Sequence, residues 1–291
     1  TSTTVNWAQM ENEGVEVALT TRNIHTKDFT WFTNLNFGYN DNTVLRETVA
    51  ENAIKPSREG YSVGAIFAYK TAGLDDEGYP LFLTQDGRKV TATEFFKLNN
   101  AGASTLSAEE QRNLYSYIGS TEPKVSGGFM NTFKYKRVTL GINCIFNFGM
   151  YVQTTPTYDP TNYDRGLNSN RDILNRWTPD HTNTTLPKLM TENDGRTGEY
   201  LRYKEQNLFR ELDIWVKKQN YFRFESIRLG YELPEKWLKP VGIKSASVSL
   251  EGRNLWVIAS NYHNYLDPET MGNPYAAPIP KSFIFGLNVN F

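Results

Sequence analysis

Few residues in this chain are spaced for bond chemistry. Asp75-Asp76-Glu77-Gly78 gathers three acids, but a calcium loop needs its oxygen ligands at alternating positions. This run lacks that pattern and reads as an acidic turn. His25, His181 and His263 are scattered without ligand spacing, and Cys144 is the sole cysteine. No metal site, thiolate cluster or disulfide framework is predicted. Ser126-Gly127-Gly128 reads as a glycine-rich strand start, because no lysine-bearing helix follows it as in a phosphate loop. With no nucleophile elbow and no paired catalytic carboxylates, the sequence points away from an enzyme, and no cofactor is predicted.

The side chains suited to recognition are aromatic. Trp177, Trp215, Tyr158, Tyr163 and Tyr265 fall in stretches without strand patterning. Rings in such loops can stack on sugars or pack against a partner. The alternative is that they fill a small core of the loops themselves, or a girdle. Glu251 and Arg253 share the polar side of one strand, and Arg223 is expected to join them.

The elements that hold these residues are strands. The last eleven residues, Lys281 to Phe291, put Phe283, Phe285, Leu287, Val289 and Phe291 on one face. Ser282, Gly286, Asn288 and Asn290 occupy the other, with Ile284 the apolar exception. Soluble sheets rarely place three phenylalanines at a terminus, where chains fray. A strand of about 9–11 residues, apolar on one face and small or polar on the other, suits a bilayer-spanning barrel.

The same alternation recurs in seven more places, at residues 15–20, 29–40, 61–70, 126–136, 138–150, 221–233 and 246–256. The clearest runs Val138, Leu140, Ile142, Cys144, Phe146, Phe148, Met150, which puts Cys144 toward lipid. In 221–233 the phase breaks, since Phe222 and Phe224 are even but Ile227, Leu229 and Tyr231 are odd. A one-residue slip swaps faces, so the break reads either as a bulge near Glu225–Ser226 or as a strand that starts above the membrane, where both faces are wet. The second faces are rich in Gly, Asn, Ser and Thr, unlike the inward face of a packed soluble core.

Composition fits this reading. Mean hydropathy is −0.55, and no run of about 18 apolar residues exists to form a transmembrane helix. Aromatic residues make up 14% of the 291 residues, a load suited to interfacial girdles. A soluble aromatic-rich β-sandwich that binds carbohydrate carries a similar composition. Net charge of −1 implies no nucleic-acid partner. The amino-terminal Thr1-Ser-Thr-Thr-Val-Asn-Trp7 has neither the basic nor the apolar region of a signal peptide, so either processing removed one or the chain is the tail of a longer protein.

Connections alternate in length. Lys136–Arg137 is a tight turn and 234–244 a modest one, whereas the stretches at about 71–125, 153–220 and 259–280 are too long for a compact soluble domain. With Phe291 on the periplasmic side, the long stretches become outer loops. The scheme leaves 41–60 unexpectedly long and 24–28 unexpectedly short. Two local helices are predicted, one from Ser107 to Tyr117 opened by a cap, and one turn at 234–239 with Pro234 in its first position.

Several segments together resemble the SusC/RagA-type, TonB-linked outer-membrane transporters of Bacteroidetes-like bacteria. They are Asn12-Glu-Gly-Val-Glu-Val-Ala-Leu, the stretch from Asp28 to Val44, Tyr61 to Pro80, and Tyr117-Ile-Gly-Ser-Thr-Glu-Pro-Lys-Val-Ser-Gly-Gly. Then follow Arg176-Trp-Thr-Pro-Asp, Asn220 to Lys239, Gly252-Arg-Asn-Leu-Trp and Phe285-Gly-Leu-Asn-Val-Asn-Phe. The match runs in order from about residue 10 to the end. It implies an all-β, antiparallel transmembrane barrel, with about eight strands here as the last part of a 22-stranded one. The plug and the segment that contacts TonB are not visible in this sequence. The implied function is nutrient uptake, of oligosaccharides or peptides, with a SusD-like surface lipoprotein as partner. The rest of the barrel, its plug, the TonB complex and the bilayer are the other implied partners. Phe291, with Phe285 and Phe283, is the implied assembly signal, and Glu251 and Arg253 are expected to face the lumen, paired together or with the plug. A barrel recruited as scaffold in a larger outer-membrane complex is the alternative.

Overall fold

A computed structural model describes residues 8–162, 170–261, 267–273 and 275–291. Seven strands form one antiparallel sheet in simple chain order: β1 (Ala8–His25), β2 (Phe29–Glu47), β3 (Val125–Tyr135), β4 (Val138–Phe148), β5 (Tyr221–Glu232), β6 (Ser245–Ala259) and β7 (Ser282–Asn290). Each strand pairs with the next, as an up-and-down meander. The described sheet stays open, with β1 and β7 at its edges. No described helix is long and apolar enough to cross a membrane, which says nothing of crossing by strands.

The cross-strand register lines up one apolar face. Leu19 pairs with Leu35, and Leu35 with Phe129. Phe129 pairs with Cys144, Leu140 with Leu229, Leu229 with Leu250, and Leu250 with Phe285. These residues are not covered by a second sheet. Phe283, Phe285 and Phe291 are 71%, 72% and 75% exposed. A continuous apolar band of this kind is far larger than a water-soluble surface tolerates, so the sandwich expectation fails and the barrel-wall reading holds. At the turn end of the band, Trp31 stacks on Phe133 at 5.6 Å, and its indole N–H donates to Asn131 Oδ1 at 2.8 Å. The ring is apolar and its one donor is satisfied, as a bilayer interface requires.

The predicted bulge is present. Phe224 pairs with Cys144 while Ser226 pairs with the next residue back, Asn143. The extra residue, Glu225, lets Phe222 and Phe224 share a face with Ile227, Leu229 and Tyr231. Phe129, Phe222, Phe224 and Trp256 then form a chain of ring contacts at 5.4–6.0 Å. Cys144 lies on this face as expected, but it is 1% exposed. Its cross-strand neighbours Phe129 and Phe224 cover it, so the small thiol does not reach lipid.

One predicted wall strand is absent. The alternating stretch 61–70 contributes only Ala65–Ala68, which pairs with Ser116–Ser120 outside the wall. Seven strands therefore replace eight. This removes both oddities of the predicted scheme: the connection 24–28 belongs to the short-turn end with 136–137 and 233–244. The stretch 41–60 is split between β2 and a single long loop, 48–124. That loop, 149–220 and 260–281 all lie at the opposite end.

The hydrophobic core is not in the sheet but in the loops. Tyr69, Phe82, Phe95 and Phe96 of loop 48–124 pack with Tyr203, Leu208, Leu212 and Trp215 of loop 149–220. Burying such a side chain contributes about 1.5–3 kcal/mol. The backbone stitches the two loops together: Tyr69 N–H donates to Glu211 O at 2.8 Å, and Asp213 N–H to Tyr69 O at 3.0 Å. Among the described residues, four short α-helices lie outside the wall: α1 (Ala92–Phe96), α2 (Ala108–Arg112), α3 (Thr197–Gln206) and α4 (Glu235–Leu238). Ser107 caps α2 in a full capping box with Glu110. The helix stops at Arg112, short of the predicted Tyr117, because Ser116–Ser120 is taken by strand pairing. Pro234 is the N-cap of α4, one place before the predicted position.

Candidate functional site: the polar face and the loop canopy

Two surfaces remain for function, the polar face of the wall and the folded loops at one end of it. Small side chains set the first. Thr132, Asn143, Ser226, Arg228, Ser249 and Glu251 line a hollow of about 440 Å³. Some charges on this face pair with each other, whereas Arg228 Nη2 donates to Ser249 Oγ at 3.3 Å. Arg253 Nε donates to Glu251 Oε1 at 2.6 Å, and Lys134 Nζ meets Glu232 at 2.7 Å. Asn143 Nδ2 donates to Glu225 Oε2 at 2.7 Å. Exposed pairs of this sort contribute little stability, but they make a wettable, near-neutral lining.

Arg223 does not join Glu251 and Arg253. The bulge separates it from them, and its guanidinium turns to loop 260–281. Nη2 meets Asp267 Oδ1 and Nε meets Glu269 Oε1, each at 2.5 Å. Arg223 and Asp267 are both almost fully buried. Neither acid carried any sequence signal, since 44 residues separate Arg223 from Asp267.

The loop aromatics sort differently from expectation. Trp215 is 4% exposed and Tyr158 7%; both belong to the loop core, with ring centroids 6.5 Å apart. Tyr158 Oη donates to Pro187 O at 2.7 Å, and burial pushes its acidity down by raising its pKa. Neither ring can stack on a ligand, so the contact role expected for them is corrected to packing. Trp177 lies flat on Gly78, where an added Cβ would come within 2.5 Å of the indole. Gly78 also has φ of +83°, which favours glycine independently. Trp177 is half-buried and keeps some open surface. Tyr163 and Tyr265 lie outside the described residues.

The acidic run 75–77 is a turn between Thr71–Leu74 and Pro80–Leu83. Asp75 Oδ1 accepts from Glu77 N and Tyr79 N at 3.0 and 2.9 Å. Arg196, just before α3, then grips Asp75 at 2.7 Å and Glu77 at 2.8 Å. The same guanidinium sits 4.4 Å from the centre of the buried Tyr79 ring. Tyr79 Oη donates to Asp194 Oδ2 at 3.0 Å. Burial first, and Asp194 second, raise the Tyr79 pKa. Burial alone would raise Asp194 as well, but hydrogen bonds from Thr191 and Lys188 overcome it and hold the carboxyl at about 2. The clamp fixes one loop on the other.

No protein-family model matches the chain. It is 25% identical over 319 residues to TonB-dependent receptor P3 of Formosa agariphila, covering 98% of this chain and 29% of that protein. It is 22% identical over 312 residues to TonB-dependent receptor SusC of Bacteroides thetaiotaomicron, covering 99% and 27%. Among solved structures, it superposes on a chain of the RagAB peptide importer in its open-open state with a TM-score of 0.72 and 23% identity. The closed-closed state gives 0.71 and 24%. These superpositions cover 98% of this chain and 29–30% of the solved ones. The chain thus spans less than a third of the length of the relatives it matches. The motifs, the seven-stranded meander and these end-to-end matches agree: the chain resembles, throughout, a part of the barrel of SusC/RagA-type TonB-linked receptors.

Proposed function

We propose that this chain forms wall, lumen lining and outer loops of a TonB-dependent outer-membrane importer of oligosaccharides or peptides. One observation carries the reading: every long loop lies at one end of a wall that is apolar on one face and small and polar on the other. In outer-membrane barrels the long loops face outward and the short turns face the periplasm. On this reading the canopy made by 48–124 and 149–220 is the surface met by an incoming nutrient and by a SusD-like lipoprotein. Force from TonB acts on a plug supplied elsewhere, and the strands of the remaining barrel cover the edges of β1 and β7, because an open edge in lipid leaves backbone groups unpaired. Glu251 and Arg253 line the lumen, and Phe291 is read during assembly.

The experiment is uptake of labelled oligosaccharides and peptides by cells with and without the gene, in backgrounds with and without working TonB. Loss of one uptake activity in both deletions is the expected result. Unchanged uptake of both substrate classes in the gene deletion would overturn import. Affinity purification of the tagged protein should bring down a surface lipoprotein in near-equal amount.

A further inference from the structure

A cleft of about 320 Å³ lies between the two canopy loops, lined in part by Lys55, Tyr69, Ser104, Tyr115, Arg202 and Glu211. Arg202, on α3, is only 8% exposed. Its guanidinium lies 4.8 Å from the centre of the Phe96 ring and hydrogen-bonds the Tyr69 side chain, while its Nε is enclosed and has no hydrogen-bond partner. Among the described residues, no carboxylate pairs with it. The two acids nearby have other partners, although Glu199 Oε2 is itself buried without a hydrogen bond. Glu211 meets Lys55 Nζ at 3.4 Å and accepts from Tyr115 Oη at 3.4 Å. Glu199 accepts from Thr93 Oγ1 at 2.9 Å and faces Arg196 at 3.7 Å. Lys55, Arg202 and Glu211 therefore leave the cleft with one positive charge in excess.

A buried guanidinium without a counter-charge is costly, and a ring contact offsets only part of that cost. Arginine's planar fork matches an oxyanion with two parallel hydrogen bonds. The cleft wall is also pre-set. Gly102 has φ of +74°, and an added Cβ there would meet Arg202 N and Gly198 O, each at 2.8 Å. The stretch carrying Ser104 is thus held directly against α3.

We propose that this cleft is a binding subsite for an oxyanion group on a ligand, a carboxylate or a sulfate, with Arg202 as its fork and Lys55 at its mouth. Acidic sugars and peptide termini both carry such a carboxylate; the shared chemistry is a compact anion presented at the end of a longer molecule. The site rests on the import reading only for its outward placement.

The test is calorimetric titration of the full-length receptor in detergent, at ionic strength fixed with chloride. Sodium sulfate, sodium glucuronate and N-acetylalanine are the probes, and glucose is the neutral control. Saturable binding of at least one anion and none of glucose is expected. Sulfate alone would assign a sulfated group; either organic acid alone, a carboxylate. Arg202→Met should weaken binding by about tenfold or more, the loss expected for a charge-assisted hydrogen bond. Because that substitution sits in a packed region, Lys55→Glu, at an exposed rim position, provides a second variant. It should weaken the anion without disturbing the loop core. No saturable anion binding by the unaltered receptor, or the same affinity in Lys55→Glu and in folded Arg202→Met, overturns the proposal. Anion binding without uptake would sink the import reading and leave this site standing; uptake without anion binding would do the reverse.

Discussion

Arg223 on β5 and Asp267 in loop 260–281 are joined at 2.5 Å with side chains only 3% and 5% exposed. The pair ties the last long loop to the polar face of the wall, and Glu269 braces it from the other nitrogen. Pro268 between the two acids is fully buried, and Met271 is 4% exposed, so the loop is packed inward at this point.

Removing Arg223 leaves two acids without their cation. Arg223→Met should destabilise the loop by about 3–5 kcal/mol, the usual cost of stranding a buried charge. Limited proteolysis should then cut at and around 267–273 faster than in the unaltered protein. Adding Asp267→Leu and Glu269→Leu to the same chain should restore much of the resistance. Equal resistance in the single variant would show that the ion pair does not hold the loop.

The two faces of β7 make opposite predictions. Phe285→Lys puts a charge on the exposed apolar band and should cost about 2–4 kcal/mol if that band meets the bilayer centre. Asn288→Lys, on the other face, should change stability little. Urea unfolding in lipid vesicles measures both, and equal effects would contradict the assignment of faces.

Gly127 pairs with Phe37 and Phe146. A Cβ there would come within 2.3 Å of Asn36 O and 2.8 Å of Phe146 Cζ. Gly127→Val should therefore lower the folded fraction, seen as loss of the heat-modifiable band on a gel. Gly141→Val, where a Cβ meets nothing within 4 Å, should be better tolerated.

Acid should loosen the canopy late. The Asp194 carboxyl, at about 2 in the folded state, lies below its ordinary value of 3.8. Its contribution is complete above the unfolded value and is lost as pH falls through the folded one. Protease resistance of the loops should hold to about pH 4 and decline toward pH 2. Asp194→Asn, which keeps the shape and removes the charge, should flatten that part of the profile.

Removing Phe291 tests its assembly role directly. Its ring is 75% exposed and packs on little of its own chain, so deletion should leave the fold intact. The amount recovered in the outer membrane on fractionation should nevertheless fall. Full recovery would reduce Phe291 to one more lipid-facing ring.

The wall was legible from residue order alone, because alternation has a period of two and each strand carries it locally. Even the slip at Glu225 could be read, since it changes which of Phe224 and Ile227 shares a parity with its neighbours. The extra strand at 61–70 shows the limit of that signal. Its alternation is genuine, yet Ala65–Ala68 pairs with Ser116–Ser120 and builds canopy, and no local pattern says which partner a strand will find. Trp215 and Tyr158 were likewise recognisable as loop aromatics, but their burial depends on where a second loop lands. The same holds for Arg223 with Asp267 and for Arg202 in its cleft. Sequence determined the two-sided wall because each residue's face follows from its immediate neighbours. Only the tertiary structure decided which charges meet and which is left alone, because those distances are set by long loops folding across one another.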